Sequence, residues 1–530
     1  GVSSKVYPAM SKLEMIVKQR RLDVAEAKTR VAAEALRARV AAAAPPNDFA
    51  AVLSKSGPMA LLAEMKRASP SKGDIAPHTD AAQQGLTYAL AGACTISVLT
   101  EPSWFKGSLD DLARVRAALV AGGLGEEVCV LRKDFIVDEY QLLEARAHGA
   151  DTALLIVAAL SAAELSSLMA FSRSLGMEPL VEAANEGEMR VALDAGARVI
   201  GVNNRNLHTF EVDMTTTSRC AALVPSGSSV RLLALSGVAT RSDVTALADV
   251  GACGVLVGES LMRADSPAGL ARELLGLPPP RALCKVCGVR DAETAAAAAK
   301  AGADLIGVIL APSKRQVSVG EAAAIVAAVR EARPRPKGWA LPRFPQRAAP
   351  APDQGADEAR ETRQWLQGWS GLLRRACAQA GPLVVGVFVD ASADEMNAAA
   401  EAAGLDLVQL HGNEGWAVAA ELARPAVRVV HMGPALTAEQ VCSQIQGGLA
   451  AAVLLDSKGG GTGKTFDWSI GEEVQRRTPF ILAGGLTPDN VGAAVRQVGP
   501  WCVDVSSGIE TDGVKDPDKI EAYLRNAAQA

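Results

Sequence analysis

Hydrophobic and polar positions fall into one rhythm along most of this chain. From Met59 onward, short apolar runs recur, each followed by a helix-period segment and a Gly-marked turn. The runs are residues 60–63, 95–99, 128–131, 153–157, 179–181, 199–202, 230–235 and 254–257. Runs this short suit strands buried on both faces, and strands alternating with helices predict parallel βα units. Eight such units predict a closed (β/α)8 barrel. An open doubly wound sheet is disfavoured, because no Gly-rich dinucleotide fingerprint follows the first run. Ahead of the rhythm, residues 9–43 read as helix, with Met10, Leu13, Ile16 and Val17 at helical spacing and Pro45-Pro46 as the stop.

A stiff linker, Gly276-Leu277-Pro278-Pro279-Pro280, interrupts the pattern, which then restarts. The second series is 282–286, 305–310, 383–389, 407–410, 427–430, 452–455, 480–483 and 502–505. The expectation is α/β architecture: two tandem (β/α)8 TIM barrels over residues 1–277 and 282–530, the first with an extra N-terminal helix. Residues 333–382 are too long for an ordinary connection, so 334–380 reads as an insertion. Its proline-rich first part should be extended or disordered. Its second part, 356–380, reads as an amphipathic helix presenting Trp365, Leu366, Trp369, Leu372 and Leu373. Such a helix more often covers its own core than recruits a partner.

Composition narrows the function. Length alone allows about three domains, but α/β barrels run to about 250 residues each, so two is as natural. A net charge of −5 argues against a general nucleic-acid binder. No apolar run approaches membrane-spanning length, so no membrane partner is expected. The nine cysteines include one CxxC, Cys284 and Cys287, with no second pair and no His cluster, so no metal site is expected and a reducing compartment is. The expected compartment is the cytoplasm; because the chain starts at Gly1 rather than Met, an organelle stays open.

In a barrel of this kind catalytic groups sit where strands end. The first run ends Glu64-Met65-Lys66, and alternation puts both charges on one face. A loop with Ser69, Pro70, Ser71 and Gly73 follows. Alone, that stretch is an edge strand with a solvated ion pair. The later strand ends change the odds: Arg132-Lys133-Asp134, Glu182, Asn203-Asn204-Arg205, Ser236-Gly237 and Gly258-Glu259. A ring of two Lys, two Glu, an Asn and an Arg is difficult to explain as packing, and the glycines after the last two strands suit a phosphate.

These residues resemble indole-3-glycerol phosphate synthase: E-x-K-x-x-S-P-S-x-G, L-R-K-D-F, L-V-E, I-G-V-N-N-R-x-L and L-S-G, in that order over about residues 10–275. The resemblance implies closure of an indole ring from an N-aryl-aminodeoxyribulose phosphate, with loss of CO2 and water. It implies that Lys133 is the general acid, that Glu182 serves the later proton transfer and dehydration, and that Glu64, Lys66 and Asn203 position the substrate. Arg205 would contact substrate, and Ser69, Ser236, Gly237, Gly258 and Glu259 would surround the phosphate. One position departs: many bacterial members carry Glu before the Ser-Gly of strand seven, where this chain has Leu235.

The second series is sparser in charge. Its strand ends supply Lys285-Val286-Cys287-Gly288, Ser313-Lys314-Arg315, Gln409-Leu410-His411-Gly412, Asp456, Gly484-Gly485 and Asp504-Val505-Ser506-Ser507-Gly508. Gly463-Lys464-Thr465 invites a P-loop reading, which fails because the leading Gly position holds Lys458. Cys287 alone would be a buried structural thiol and Asp456 alone a helix cap. Together the set resembles phosphoribosylanthranilate isomerase over about residues 283–525. The resemblance implies Cys287 as base at the sugar C2, Asp456 as acid at the ring oxygen, and Arg315 as holder of the anthranilate carboxylate. It places His411 and Asp504 at the substrate and Gly484, Gly485, Ser506, Ser507 and Gly508 at the phosphate.

The isomerase product would be the synthase substrate, so the expectation is a bifunctional enzyme of tryptophan biosynthesis with phosphosugar substrates and no cofactor. Fusion to, or association with, other enzymes of that pathway belongs to the same expectation. Two alternatives stay open here: a histidine-pathway aminosugar phosphate as substrate, or one barrel reduced to a scaffold.

Overall fold

The computed structural model describes residues 10–206, 211–345, 358–433, 436–457 and 466–530. The chain divides into two compact units between Pro278 and Pro279. The loop with Gly463-Lys464-Thr465, and Pro350 and Pro352 of the insertion, lie outside the described residues.

The first unit is a closed parallel barrel of eight strands. They are β1 (Ala60–Met65), β2 (Thr95–Leu99), β3 (Cys129–Lys133), β4 (Thr152–Ile156), β5 (Leu180–Ala183), β6 (Val199–Asn203), β7 (Arg231–Leu235) and β8 (Gly254–Val257). Closure is between first and last strand, with Ala60 opposite Gly254 and Ala63 opposite Val257. Leu62, Leu131, Leu154, Leu180, Leu233 and Leu256 share one interior cluster. Phe49 and Leu53, from helix Phe49–Lys55, join that cluster beside Cys94 and Cys129, where strands begin, and so cover the barrel floor.

The N-terminal segment departs from expectation. Instead of one helix there are two, α1 (Lys12–Arg30) and α2 (Ala33–Ala42), split at an extended Val31. Neither Gly nor Pro marks the break. The Tyr140 hydroxyl reaches the carbonyl oxygens of Ala27 and Val31 at 3.1 and 2.9 Å, a partner from elsewhere in the fold that the local pattern does not contain. At the start of α1, Ser11 and Glu14 form a reciprocal capping box.

The second unit is another closed eight-stranded parallel barrel. Its strands are β9 (Leu283–Cys287), β10 (Leu305–Ile309), β11 (Leu383–Phe388), β12 (Leu407–Leu410), β13 (Ala426–Met432), β14 (Ala452–Ser457), β15 (Ile481–Leu482) and β16 (Cys502–Val505). The insertion helix spans Glu358–Ala380, and Trp365, Leu366, Trp369, Leu372 and Leu373 are buried in it, so it packs on its own barrel. The Trp365 indole donates to Ala450 O at 2.6 Å, Arg363 to Arg477 O at 2.6 Å and Arg374 to Trp501 O at 2.9 Å. Ala450 and Trp501 stand just before strands and Arg477 ends the helix that leads into one, so the insertion helix lies across the barrel floor, opposite the strand ends that carry chemistry. The proline-rich stretch before it has no regular structure in its described part but is pinned. Arg335 grips Asp406 through both nitrogens at 2.8 and 2.6 Å, and Phe344 packs edge-on to Trp365.

Among the described residues no helix is long and apolar enough to cross a membrane.

Candidate active sites

The mouth of the first barrel holds an open cleft. Glu64, Lys66, Ser69, Lys133, Glu182, Asn203, Arg205, Ser236 and Glu259 all line it. Gly237 and Gly258 line the adjoining part beside Arg205 and Ser236. One wall is apolar, formed by Phe105, Phe135, Ile156, Leu235 and Leu256, and is suited to an aromatic ring.

Two cation–carboxylate pairs face the cleft. Lys66 Nζ lies 3.3 Å from Glu64 Oε1, and Lys133 Nζ lies 3.7 Å from Glu182 Oε2. Asn203 Nδ2 donates to the other Glu182 oxygen at 2.9 Å, while Asn203 Oδ1 accepts from the Arg205 amide at 3.0 Å. Glu182 Oε2 is buried and makes no hydrogen bond.

The neighbours of Lys133 were not assigned a role from sequence. Alternation turns Arg132 and Asp134 away from the cleft into a buried network. Asp134 takes Arg20 of α1 at 3.1 and 2.9 Å, Arg132 at 3.0 Å and the Thr100 hydroxyl at 2.6 Å. Burial alone would raise the Asp134 carboxyl, but Arg132 and Arg20 outweigh it and hold its pKa below the ordinary value. This network anchors the backbone on both sides of Lys133.

The turn after β7 is strained. Ser236 has φ 67°, an unusual value for a residue with a side chain, and Gly237 follows at 87°. Asn204 stabilises the turn, donating to Ser236 O at 3.2 Å and accepting from the Thr217 hydroxyl at 2.8 Å. A side chain at Gly258 would stand 2.6 Å from Glu64 Oε1, so glycine there lets the carboxylate close in. Leu235 does not leave a gap: its side chain packs over Gly201, where a Cβ would lie 2.7 Å from Leu235 Cδ1.

In the second barrel, β9 directs Lys285 and Cys287 to the same side. Lys285 Nζ donates to Gln409 Oε1 at 3.0 Å and to Asp504 Oδ2 at 3.1 Å. Cys287 is buried, and burial pushes its thiol up while the Lys285 ammonium opposes the shift. Gly307 is what accommodates the sulfur: a Cβ there would stand 2.7 Å from Cys287 Sγ. At the end of β14, burial and the Asp504 carboxylate push Asp456 up to about 6. His411 Nε2 stands 3.8 Å from Asp456 Oδ2.

Arg315 is engaged rather than open. Its guanidinium forms a two-pronged pair with Glu510 at 2.6 and 2.8 Å, and Lys515 donates to the same carboxylate at 2.9 Å. The phosphate candidates group around two turns. Gly484 and Gly485 have φ 87° and 66°, and a Cβ at Gly484 would lie 2.8 Å from Ser457 Oγ and 3.1 Å from Asp456 Oδ1. Ser507 and Gly508 fall in a short 3-10 turn, where a Cβ at Gly508 would meet Leu486 O at 1.9 Å. The Ser506 hydroxyl is buried without a hydrogen bond. Glu510 and Lys515 escaped the sequence reading because no pattern joins them to Arg315, 195 residues from Glu510.

Comparison with known proteins gives a consistent result for both units. The family model described as indole-3-glycerol phosphate synthase matches residues 13–274, and that of N-(5'phosphoribosyl)anthranilate (PRA) isomerase matches residues 368–526. A multifunctional tryptophan biosynthesis protein of Phycomyces blakesleeanus is 45% identical over 91% of this chain, which spans 64% of that protein's length. Tryptophan biosynthesis protein TRP1 of Phytophthora nicotianae is 43% identical, covering 97% of this chain and 96% of its own. The indole-3-glycerol phosphate synthase of Roseiflexus sp. (strain RS-1) is 47% identical over half of this chain and 98% of its own. The chain belongs, barrel by barrel, to the indole-3-glycerol phosphate synthase and phosphoribosylanthranilate isomerase families.

Proposed function

We propose that the chain catalyses two successive steps of tryptophan biosynthesis, the second barrel acting before the first. The observation that carries this reading is the pairing of Lys133 and Glu182, 3.7 Å apart beside an apolar wall, in a unit matched by the synthase model, while a unit matched by the isomerase model follows in the same chain.

In the second barrel, Asp456 donates its proton to the ring oxygen of phosphoribosylanthranilate as the ring C–O bond breaks. The Cys287 thiolate takes the C2 proton from the resulting imine, and the enolamine tautomerises to 1-(2-carboxyphenylamino)-1-deoxyribulose 5-phosphate. An Asp raised to about 6 is suited to giving up a proton near neutrality. Arg315 takes the anthranilate carboxylate by exchanging it for Glu510, and His411 and Asp504 border the sugar. Gly484, Gly485, Ser506, Ser507 and Gly508 hold the phosphate.

In the first barrel, Lys133 protonates the ketone oxygen as the aryl carbon attacks. Loss of CO2 follows, and Glu182 then serves the proton transfer that expels water, giving indole-3-glycerol phosphate. Glu64, Lys66, Asn203 and Arg205 hold the substrate; Ser69, Ser236, Gly237, Gly258 and Glu259 hold its phosphate. The apolar wall with Leu235 receives the aryl ring. Association with, or fusion to, further enzymes of the pathway belongs to this reading, supported by the multifunctional relative of which the chain spans 64%.

The test is incubation with phosphoribosylanthranilate, following the loss of its fluorescence and the formation of indole-3-glycerol phosphate. No fluorescence loss with the folded chain would overturn the isomerase assignment. Accumulation of the open-chain ketone without indole formation would overturn the synthase assignment.

A further inference from the structure

A run of polar groups crosses the interior of the second barrel, and two of its members, Lys285 and Gln409, have no part in the proposed chemistry. It starts at Asp504, passes through Lys285 and Gln409, and ends at His411 beside Asp456. Each link has a forced direction. An ammonium has donors and no lone pair, so the Gln409 atom 3.0 Å from Lys285 Nζ is the amide oxygen. The amide nitrogen therefore faces the other way and stands 3.3 Å from His411 Nδ1. An amide nitrogen only donates, so Nδ1 must be the bare nitrogen. A neutral ring then carries its single proton on Nε2, the atom 3.8 Å from Asp456 Oδ2.

The ring is held neutral. Burial, then His431, Lys285 and Arg428, depress His411 to about 4. His431 stacks edge-on at 5.1 Å, and its Nε2 meets the His411 carbonyl at 3.0 Å, so it does not compete for either His411 nitrogen. Asp456 is the carboxyl group 3.8 Å from the ring.

We propose that Lys285 and Gln409 are positioning residues of the second site, fixing His411 as the tautomer that presents an N–H towards Asp456 and the substrate. The buried ammonium orients the amide, and the amide orients the ring. His411 then offers a donor, never an acceptor, to the groups at the mouth. This rests on the assignment of Asp456 as the acid, and its test is separable from that assignment.

The experiment uses the full chain labelled with 15N-histidine. There are five histidines, and the His411→Gln variant identifies the signals of this one. Near pH 7, wild-type His411 should show a protonated Nε2 and a bare Nδ1. Gln409→Glu places a carboxylate opposite Nδ1 and should move a proton onto that nitrogen. Gln409→Met removes the donor and should give a mixture of tautomers. Isomerase kcat/KM should fall by about 10–100-fold in Gln409→Glu, taking as a guide the range for partners that orient a metal-bound imidazole. Synthase activity should not change. A protonated Nδ1 in the wild type, or a wild-type nitrogen pattern in Gln409→Glu, overturns the inference. So does a shifted proton with unchanged isomerase activity. A wild-type chain with no isomerase activity sinks the functional assignment instead, while the nitrogen pattern still decides the tautomer.

Discussion

Lys133 Nζ stands 3.7 Å from Glu182 Oε2, an oxygen that is buried and accepts no hydrogen bond. The two side chains come from the ends of β3 and β5, the strands on either side of β4. An acid and a base held side by side but not bonded are free to act on a molecule between them.

Lys133→Ala should therefore lower synthase kcat by about 10²–10⁴-fold, the usual contribution of one positioned acid or base. The variant should still isomerise phosphoribosylanthranilate and accumulate the open-chain ketone. Cys287→Ala should do the reverse. Mixing the two variants should restore overall conversion, measured as indole-3-glycerol phosphate. Loss of both half-reactions in either folded variant would contradict separate sites.

The pH dependence of the isomerase follows from Asp456, whose carboxyl is raised to about 6. The productive form carries a proton on Asp456 and none on Cys287. Below pH 6 Asp456 is fully protonated, and the thiolate fraction grows about tenfold per unit. Above pH 6 the protonated Asp456 fraction falls as fast as thiolate rises, so the two cancel. Isomerase kcat/KM should rise to a break near pH 6 and then stay level until the upshifted thiol titrates. Asp456→Asn should abolish that break.

Asp134→Asn would take away the carboxylate that Arg20 and Arg132 share and leave each with one other, Asp23 for Arg20 and Glu144 for Arg132. A buried charge left wholly uncompensated costs about 3–5 kcal/mol, and the partners that remain make that range the upper bound here. The variant should unfold at lower urea when followed through residual synthase activity. Its isomerase midpoint should not move. The native carboxyl lies below its ordinary value. Its contribution is present at pH above the ordinary carboxyl value and is lost as pH falls through the depressed one.

Gly237→Asp should raise the synthase KM, since charge and bulk would enter the turn proposed to hold phosphate, and a Cβ there already meets Met214 Sδ at 2.5 Å. Gly484→Asp should behave differently. It stands against Asp456 as well as the turn, so isomerase kcat should fall along with a rise in KM. An unchanged KM in either folded variant would move the phosphate elsewhere.

Trp365→Ala should destabilise the second barrel by about 3–5 kcal/mol, as expected for a buried tryptophan, with isomerase kcat held within a few-fold. Trp365 is 3% exposed and lies on the floor, far from the strand ends. Unfolding monitored by isomerase activity, set against kcat at low temperature, checks both halves.

The strands of both barrels were legible because buried parallel strands are nearly uniform in hydrophobicity, and Gly turns punctuate them. The strand-end residues were legible because a barrel displays them as a ring. What was hidden depends on contacts across the fold. The break at Val31 is set by Tyr140, 109 residues away, and no helix-breaking residue announces it. The Lys285–Gln409 link spans 124 residues and is built from two side chains that each look like ordinary core polarity. Arg315 looked available because its pairing with Glu510 leaves no local mark.

The floor helix Glu358–Ala380 has a consequence for how the protein is made. Arg374 bonds to the carbonyl of Trp501, 127 residues later, and Trp365 to that of Ala450, 85 residues later. During synthesis the helix leaves the ribosome long before those partners do. Its face of Trp365, Trp369, Leu372 and Leu373 then has no barrel floor to rest on, and the nascent second barrel spends that interval with aromatic surface in water, where chaperones bind and neighbouring nascent chains adhere.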